Sequence, residues 1–273
     1  MKKELLQIAF QEDLAEQCDV TGEAIFTDEI DQFVLISRAN GVLCGFDEFS
    51  AVFYALDPKI RIVDFFQDSD QIKNGDEIAI ITGKVSAVLK AERTALNILA
   101  HLSGIASRTA EFVKAANGKA QILDTRKTLP GLRKLQKYAV RCGGGQNHRL
   151  GLYDMVMIKD NHIDTAGGIK KAVEKVRHKW KDRFKIEVET RNLQEVQEVL
   201  ECSVDRIMLD NMDLKTMQKA VDLIAGKCET EASGNMTLDR ISQVAATGVN
   251  FISVGELTHS VKAFDFSLKK ISF

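Results

Sequence analysis

The sequence predicts an α/β protein with two domains, a smaller N-terminal α+β domain followed by a parallel α/β barrel. Its 273 residues are 45% hydrophobic and 28% charged, which is typical of a globular chain long enough for a barrel and a smaller partner domain. From residue 120 onward, short apolar segments alternate with amphipathic helical segments, as in parallel βα units. Before residue 120 the predicted elements are mixed. A single barrel made from the whole chain stays the alternative.

Helices and strands alternate irregularly in the first hundred residues. Apolar spacing predicts helices at 3–14 and 46–55, and shorter apolar runs predict strands at 32–38, 60–65 and 77–85.

A long amphipathic run at 87–116 follows, interrupted only by Ser103-Gly104, and we interpret it as a helix that bridges two domains. We therefore predict domains at 1–115 and 116–260, and a C-terminal segment, 261–273, that packs back on the first domain.

The second half of the chain contains six predicted strands. They lie at 121–124, 155–159, 184–189, 206–210, 228–231 and 251–254. Amphipathic helices are predicted between them at 169–180, 193–200, 214–224 and 238–247. Nearly every strand ends in polar residues or glycine. Because the carboxyl ends of parallel barrel strands meet at one face, we expect these residues to form one site.

Strand geometry predicts which carboxylates point into the barrel. Successive side chains alternate across a strand, so Glu187 and Glu189 share one side, and the same parity turns Asp210 inward. A buried carboxylate needs a cation, either a metal or a Lys or Arg side chain. Each of these carboxylates is therefore a candidate ligand or one half of a structural ion pair.

The stretch from Thr125 to Tyr153 is strongly basic. It has seven Lys and Arg residues besides His148, and no Asp or Glu. Four of its side chains follow a strand or a glycine run and are the better anion ligands: Arg126, Lys127, His148 and Arg149. The others suit an intervening helix face that is exposed or contacts another subunit: Arg133, Lys134, Lys137 and Arg141. A mixture of Arg and Lys suits a ligand that carries both carboxylate and phosphate groups.

Phosphate and metal ligands are predicted at the ends of later strands. Ser233-Gly234 and Val254-Gly255 follow the last two strands, where barrels bind phosphate on backbone N–H groups. Glu189 and Asp210 are hard oxygen ligands that suit Mg²⁺ shared with a substrate phosphate. Lys159 is either a charge donor or a Schiff-base nucleophile.

The cysteines do not suggest a disulfide framework, because they are five and lack C-x-x-C spacing. Cys142 lies in the basic stretch as a candidate nucleophile, but without an adjacent base it is better interpreted as a packed thiol.

Charge and hydropathy exclude several partners. The chain has 37 Lys and Arg against 39 Asp and Glu, so no overall field attracts nucleic acid or an anionic membrane. No apolar run has the roughly 18 residues of a membrane helix, and Glu12 and Asp13 precede any signal-peptide core. We expect a cytoplasmic protein that binds neither nucleic acid nor membranes.

Four consecutive motifs resemble the quinolinate phosphoribosyltransferases, also called nicotinate-nucleotide pyrophosphorylases. They are DTRKTLPGLR at 124–133, KYAVRCGGG at 137–145, NHRLGLYD at 147–154 and IKDNHI at 158–163. Shorter matches at 92–97, 186–189, 208–212, 231–234 and 252–260 extend the resemblance over essentially the whole chain. The resemblance implies an incomplete or distorted barrel and a homodimer, either alone or as the unit of an oligomer of dimers. It also implies that quinolinate and phosphoribosyl pyrophosphate give nicotinate mononucleotide, pyrophosphate and CO₂, with Mg²⁺, in NAD biosynthesis.

The resemblance also assigns roles to individual residues. The quinolinate carboxylates are expected on Arg126, His148 and Arg149, with Arg93 reaching the site from the partner subunit. Lys127 and Lys159 would bridge substrate and pyrophosphate charge, and Glu189 and Asp210 would hold the ribose hydroxyls and Mg²⁺. Thr125 is expected at the substrate, and the 5′-phosphate is expected on Ser233, Gly234, Asn235, Val254, Gly255 and Glu256.

Three positions depart from the pattern of the family. Residues 15–21 read AEQCDVT where a Gly-Asp-Ile-Thr type segment is usual. Asn235 stands where glycine is common, although Asn tolerates a left-handed backbone better than most residues. Glu256 stands where a small residue is usual and brings a negative charge near the phosphate loop.

Overall fold

The computed structural model describes residues 3–15 and 18–272, so Glu16 and Gln17 of the divergent segment lie outside the described residues. Its helices are α1 Lys3–Leu14, α2 Val20–Ile25, α3 Phe46–Leu56, α4 Val85–Ala116, α5 Arg133–Cys142, α6 Asp160–Ala166, α7 Ile169–Trp180, α8 Leu193–Leu200, α9 Leu214–Ile224, α10 Leu238–Ala246 and α11 Glu256–His259. Its strands are β1 Ile30–Ser37, β2 Gly41–Val42, β3 Arg61–Asp64, β4 Gln71–Ile72, β5 Glu77–Lys84, β6 Gln121–Leu123, β7 Val156–Ile158, β8 Ile186–Thr190, β9 Arg206–Asp210, β10 Glu229–Ser233, β11 Phe251–Ser253 and β12 Phe266–Lys270.

The chain divides into two compact units. The first contains Met1–Ala110, Leu129–Gly144 and Ser260–Phe273, and the second contains Glu111–Thr128 and Gly145–His259. The domain limits expected at 115 and 260 stay predictions, and the contact division additionally assigns 129–144 to the first unit.

The first unit is built on a four-stranded antiparallel sheet with the order β12-β1-β5-β3. In β1, Leu35 is paired with Leu268 of β12 on one side and with Ala79 of β5 on the other. One face of this sheet packs on α3 and α4, where Phe49 and Phe53 are fully buried. The C-terminal segment is thus an integral strand of this unit.

Helix α4 is continuous through Ser103 and Gly104, where the sequence suggested a weak break. A Cβ added at Gly104 would lie 2.2 Å from the carbonyl oxygen of Lys262. Glycine is needed there because the C-terminal segment approaches the helix closely, and the helix does not end.

Helix α5 carries the second group of basic residues, but it is not a uniformly solvated face. The Lys137 side chain is only 1% exposed, whereas Lys134 and Arg141 are exposed. Gln136 is also buried, and its Oε1 accepts the N–H of Leu129 at 2.8 Å.

The second unit is a parallel six-stranded sheet with the order β6-β11-β10-β9-β8-β7. Within the described residues β6 and β7 are its edges, so this sheet is an open version of a barrel and agrees with the predicted distorted α/β barrel. Helices α7 to α10 follow strands in the predicted order, and two of them begin at side-chain caps. Asn192 caps α8 by accepting the N–H of Glu195, and Asp213 caps α9 by accepting that of Thr216.

In the part of the chain that the structure describes, no helix is both long enough and apolar enough to cross a lipid bilayer.

Candidate active site

A cleft of about 750 Å³ lies at the carboxyl ends of the strands of the second unit. The predicted residues that line it are Thr125, Arg126, Lys127, His148, Arg149, Lys159, Glu189, Asp210, Ser233, Gly234, Asn235, Gly255 and Glu256. Val254 is fully buried, and its N–H donates to Leu123 at 2.9 Å, so it joins strands and does not line the cleft. Arg93 is an exposed residue of α4 in the first unit.

One wall of the cleft is cationic. The Arg149 guanidinium donates to the carbonyl oxygen of Met155 at 3.2 Å, and burial, followed by the neighbouring Arg126 cation, lowers its pKa. The Nε of Arg126 is buried and has no hydrogen-bond partner among the described residues. Nearby carboxylates neutralise only part of the charge of these two neighbouring guanidiniums. A bound anion would therefore stabilise them.

Lys127 is held by its backbone, so its side chain is free to point into the cleft. Its N–H donates to Thr125 Oγ1 at 3.1 Å, and its carbonyl accepts the Thr258 hydroxyl at 2.8 Å. A Cβ on Gly255 would lie 3.3 Å from Lys127 Cδ. The small residue at 255 therefore leaves room for the lysine.

The other wall combines a cation with carboxylates. Lys159 Nζ donates to Glu189 Oε2 at 2.6 Å, and Asp210 Oδ2 accepts the Asn211 amide at 2.7 Å. The ion pair engages the Lys159 ammonium, which does not favour the Schiff-base alternative. Glu189 and Asp210 present hard oxygen atoms beside a space large enough for a phosphorylated substrate, which is the donor chemistry that Mg²⁺ prefers.

At the base of the cleft lies a buried charged cluster, which we call the barrel floor: His148, Glu187, Arg206, Glu231 and Ser253. Of these, His148, Glu231 and Ser253 also line the cleft. His148 Nε2 is 3.0 Å from Glu187 and 3.3 Å from Glu231. Glu231 also accepts from Arg206 at 2.9 Å and from Ser253 at 2.6 Å. The inward direction predicted for Glu187 is correct, and its partners are protein cations.

The carboxylates set the charge of His148. Burial opposes its protonation, but Glu187 and Glu231 outweigh this effect and raise the pKa of His148 to about 9. Burial, and then the negative charge of Glu231, raises the pKa of Glu187 to about 7. One contact favours the neutral imidazole of His148 instead. The backbone N–H of Arg149 donates to His148 Nδ1 at 2.7 Å, which requires that nitrogen to be unprotonated. We favour the cation because two carboxylates face Nε2.

Sequence reasoning missed Asp124 as an anchor of the site. This fully buried residue accepts the Asn147 amide at 2.6 Å and the His148 N–H at 2.9 Å. It therefore fixes the segment that carries His148 and Arg149. Its position at the end of β6 was the available signal.

The loop after β10 has a constrained backbone. A Cβ on Gly234 would lie 2.8 Å from the backbone nitrogen of Asn211, and φ there is +95°. Asn235 adopts the left-handed region at φ +48°, as its sequence suggested, and its amide donates to Asn211 Oδ1 at 3.2 Å. Glu256 begins α11 and lines the cleft.

The open parallel barrel and the cation-lined cleft at its strand ends define the class of the protein, an α/β-barrel enzyme that acts on anionic small molecules. The family models for the N-terminal and C-terminal domains of quinolinate phosphoribosyl transferase match residues 19–103 and 105–269. The chain belongs to the quinolinate phosphoribosyltransferase family.

Individual relatives are similar over nearly the whole of this chain. Quinolinate phosphoribosyltransferase [decarboxylating] 2 of Nicotiana glauca is 42% identical, covering 98% of this chain and 81% of that protein. The probable nicotinate-nucleotide pyrophosphorylase of Bacillus subtilis is 40% identical over 97% of this chain and 92% of its own. The crystal structure of NadC from Streptococcus pyogenes superposes with a TM-score of 0.94 at 40% identity, covering 98% of this chain and 96% of that one.

Proposed function

We propose that the protein transfers the phosphoribosyl group of phosphoribosyl pyrophosphate to quinolinate and releases pyrophosphate and CO₂. The observation that carries the proposal is the pair of neighbouring guanidiniums, Arg126 and Arg149, on one wall of a cleft whose other wall holds Lys159, Glu189 and Asp210. The membership of the family and the names of its relatives support the same reaction.

The substrates are both highly anionic, so the first task of the site is to bring them together. Arg126 and Arg149 suit the two carboxylates of quinolinate, because each guanidinium presents a planar fork. Lys127 and Lys159 suit the pyrophosphate as compact charges. Positioning of two mutually repelling anions accounts for a large part of the rate acceleration.

In the transfer step, the ring nitrogen of quinolinate forms a bond to C1′ of the ribose as the bond from C1′ to pyrophosphate breaks. Negative charge develops on the leaving oxygens, and fixed cations stabilise it without a proton donor. The pyridinium nitrogen then stabilises the carbanion left at C2 when the adjacent carboxylate departs as CO₂. A proton from water takes the place of the carboxylate at C2.

We propose that Glu189 and Asp210 hold Mg²⁺. Their carboxylates line the cleft, and Mg²⁺ is bound in proteins by one or two carboxylates together with substrate phosphates. When bound, the ion would neutralise charge on the pyrophosphate. Lys159, which contacts Glu189, would share this task.

The 5′-phosphate is expected against the loop after β10. Ser233, Gly234 and Asn235 line the cleft there, and the positive φ of Gly234 and Asn235 turns the backbone sharply at this point. Backbone N–H groups in such a turn suit a phosphate. Glu256 also lines the cleft. Because its negative charge would repel the phosphate, we expect its side chain to face the sugar.

We further propose that the protein works as a homodimer in which Arg93 of one subunit completes the site of the other. The exposed position of Arg93 on α4 supports this. Mixing inactive Arg93→Ala subunits with inactive Lys127→Ala subunits tests it, since mixed dimers regain one intact site. Absence of recovered activity in verified mixed dimers would reject the shared site.

The decisive test of the reaction is mass-spectrometric detection of nicotinate mononucleotide from purified protein, phosphoribosyl pyrophosphate and Mg²⁺. We expect product with quinolinate and none with nicotinate in its place. Product from nicotinate alone would identify a plain nicotinate phosphoribosyltransferase and reject the decarboxylating reaction.

A further inference from the structure

Two cysteines of the first unit lie side by side although they are distant in sequence. The Sγ atoms of Cys44 and Cys142 and a carboxylate oxygen of Asp68 all lie within 4.8 Å of one another. Cys44 is fully buried and Cys142 is 9% exposed. A disulfide requires the sulfurs to approach to about 2.05 Å, so the side chains must rotate toward each other for the bond to form.

The backbone holds both cysteines against the same stretch of α4. The N–H of Cys44 donates to Ser103 Oγ at 3.0 Å, and this hydroxyl donates back to the Cys44 carbonyl at 3.1 Å. Cys142 is the last residue of α5, and a Cβ on the next residue, Gly143, would lie 2.3 Å from the carbonyl oxygen of Ala106. The two thiols therefore face each other because two chain segments are fixed on one helix.

The two thiols differ in acidity. A hydrogen bond from Cys44 lowers the pKa of Cys142 to about 6, with a further contribution from Ser69 and against the effect of burial. The same contact, followed by burial, raises the pKa of Cys44. A thiolate beside a protonated thiol is the arrangement of an attacking and a resolving cysteine.

We propose that Cys142 and Cys44 are a redox-active pair that closes to a reversible disulfide on exposure to hydrogen peroxide. The Cys142 thiolate attacks a peroxide oxygen, which gives a sulfenic acid and a hydroxide that takes up a proton. The Cys44 sulfur then attacks the sulfenic sulfur, loses its proton and displaces the hydroxyl group as water. Two thiols are oxidised by two electrons, and the peroxide is reduced to two waters. A small-molecule thiol reverses the reaction by exchange.

The same three residues are less suited to a metal ion. The Asp68 carboxylate already accepts the N–H groups of Gly45 and Phe46 and the Tyr138 hydroxyl, the last at 2.9 Å. This leaves two thiols, whereas structural zinc sites have four ligands. The geometry therefore favours a sulfur–sulfur bond.

The test uses the whole chain with Cys18→Ser, because exposed Cys18 would otherwise form disulfides between molecules. The protein is treated with stoichiometric hydrogen peroxide, alkylated, digested without reductant and examined by mass spectrometry. We expect linked peptides that contain Cys44 and Cys142, with two hydrogens lost, and a fall of two in titrated thiols that dithiothreitol reverses. Alkylation of both cysteines after peroxide treatment, or stoichiometric zinc that protects them, would overturn the proposal.

Two further variants separate this pair from general cysteine oxidation. In Cys44→Ser the resolving thiol is missing, so Cys142 should be trapped by dimedone as a sulfenic acid. Cys228→Ser removes a partly exposed cysteine and should leave the disulfide unchanged. The oxidised protein should also melt at a higher temperature than the reduced protein, because the bond closes a long loop, and Cys44→Ser should lose this difference. A disulfide that persists in Cys44→Ser between other cysteines would contradict the assignment.

Discussion

Glu187 and Glu189 lie two residues apart on β8 and face the same side of the strand, yet their surroundings differ. Glu187 is fully buried in the barrel floor, 3.0 Å from His148. Glu189 lies at the rim, where it contacts Lys159 and lines the cleft. The comparison teaches that position along an inward-facing strand decides what a carboxylate does. Deeper in the barrel it is enclosed by protein side chains, and at the strand end it is available to a ligand.

If this division holds, changes at the rim of the cleft should alter turnover with little effect on stability, and changes at the buried carboxylates of the barrel floor should mainly lower stability. The largest effect is expected in the cleft. Lys127→Ala and Arg149→Ala should each lower kcat/KM by about 10³-fold or more, because each removes a cation aimed at developing or bound negative charge.

The melting temperature of both variants should stay near that of the wild type, which circular dichroism can verify. Lys227→Ala, which removes an exposed lysine, serves as control and should keep full activity. Near-normal kcat in either cleft variant would break the assignment of that residue to the ligand.

The next largest effect is expected in the barrel floor. Glu231→Ala should lower the free energy of unfolding by about 3 kcal/mol, because it leaves Arg206 and His148 buried beside a lost partner. Glu229 offers a matched control, since it also contacts Arg206 at 2.9 Å but its side chain is 41% exposed. Glu229→Ala should cost less than about 1 kcal/mol. Equal losses by urea denaturation would show that burial does not distinguish the two glutamates.

The pH dependence of stability sharpens the same contrast. The pKa of His148 is raised to about 9 in the folded protein, whereas an unfolded histidine titrates near about 6.5. The folded state therefore binds the proton of His148 more tightly than the unfolded state. The resulting stabilisation of the fold is complete below about pH 6.5 and is lost as the pH rises through 9. Between pH 7 and 9 the free energy of unfolding should fall by up to about 1.4 kcal/mol per pH unit.

His148→Gln should remove this slope, which urea denaturation at several pH values measures. A wild-type curve with no difference in slope from His148→Gln would mean that the imidazole is neutral, and that the Arg149 N–H contact on Nδ1 sets its tautomer.

The smallest effect concerns the loop after β10. Asn235 already adopts a left-handed backbone, so Asn235→Gly should change the free energy of unfolding by about 0.5 kcal/mol or less and keep turnover. Gly234→Ala is the contrasting variant, because its Cβ would collide with the backbone of Asn211. Its kcat/KM should fall clearly while Asn235→Gly remains active. A strong loss in Asn235→Gly would show that the asparagine amide itself contacts the substrate.

Local patterns predicted the second unit well because its elements repeat short apolar strands and amphipathic helices. Strand β9 at Arg206–Asp210 and helix α9 at Leu214–Ile224 have the predicted bounds. The cleft residues were also predictable, since polar residues at parallel strand ends must share one face. Very short elements such as β2 and β4 have no periodicity to detect.

Other features depend on contacts between distant segments, which local patterns do not contain. Lys137 looked like part of a charged helix face but is buried. His148 lines the cleft as predicted, and its place as a substrate ligand stays a prediction, but its contacts with Glu187 and Glu231 were not visible in the sequence. The proximity of Cys44 and Cys142 likewise depends on how two segments pack on α4.

The pairing of β1 with β12 has a consequence for the order of folding. Residues 30–37 are synthesised long before 266–270, and the whole second unit is made in between. Until then the nascent chain carries β1 with one edge unpaired, and such edges template aggregation. The first unit to begin folding is therefore the last to be completed, and a chain shortened before residue 266 should aggregate during synthesis although every residue of the cleft is present.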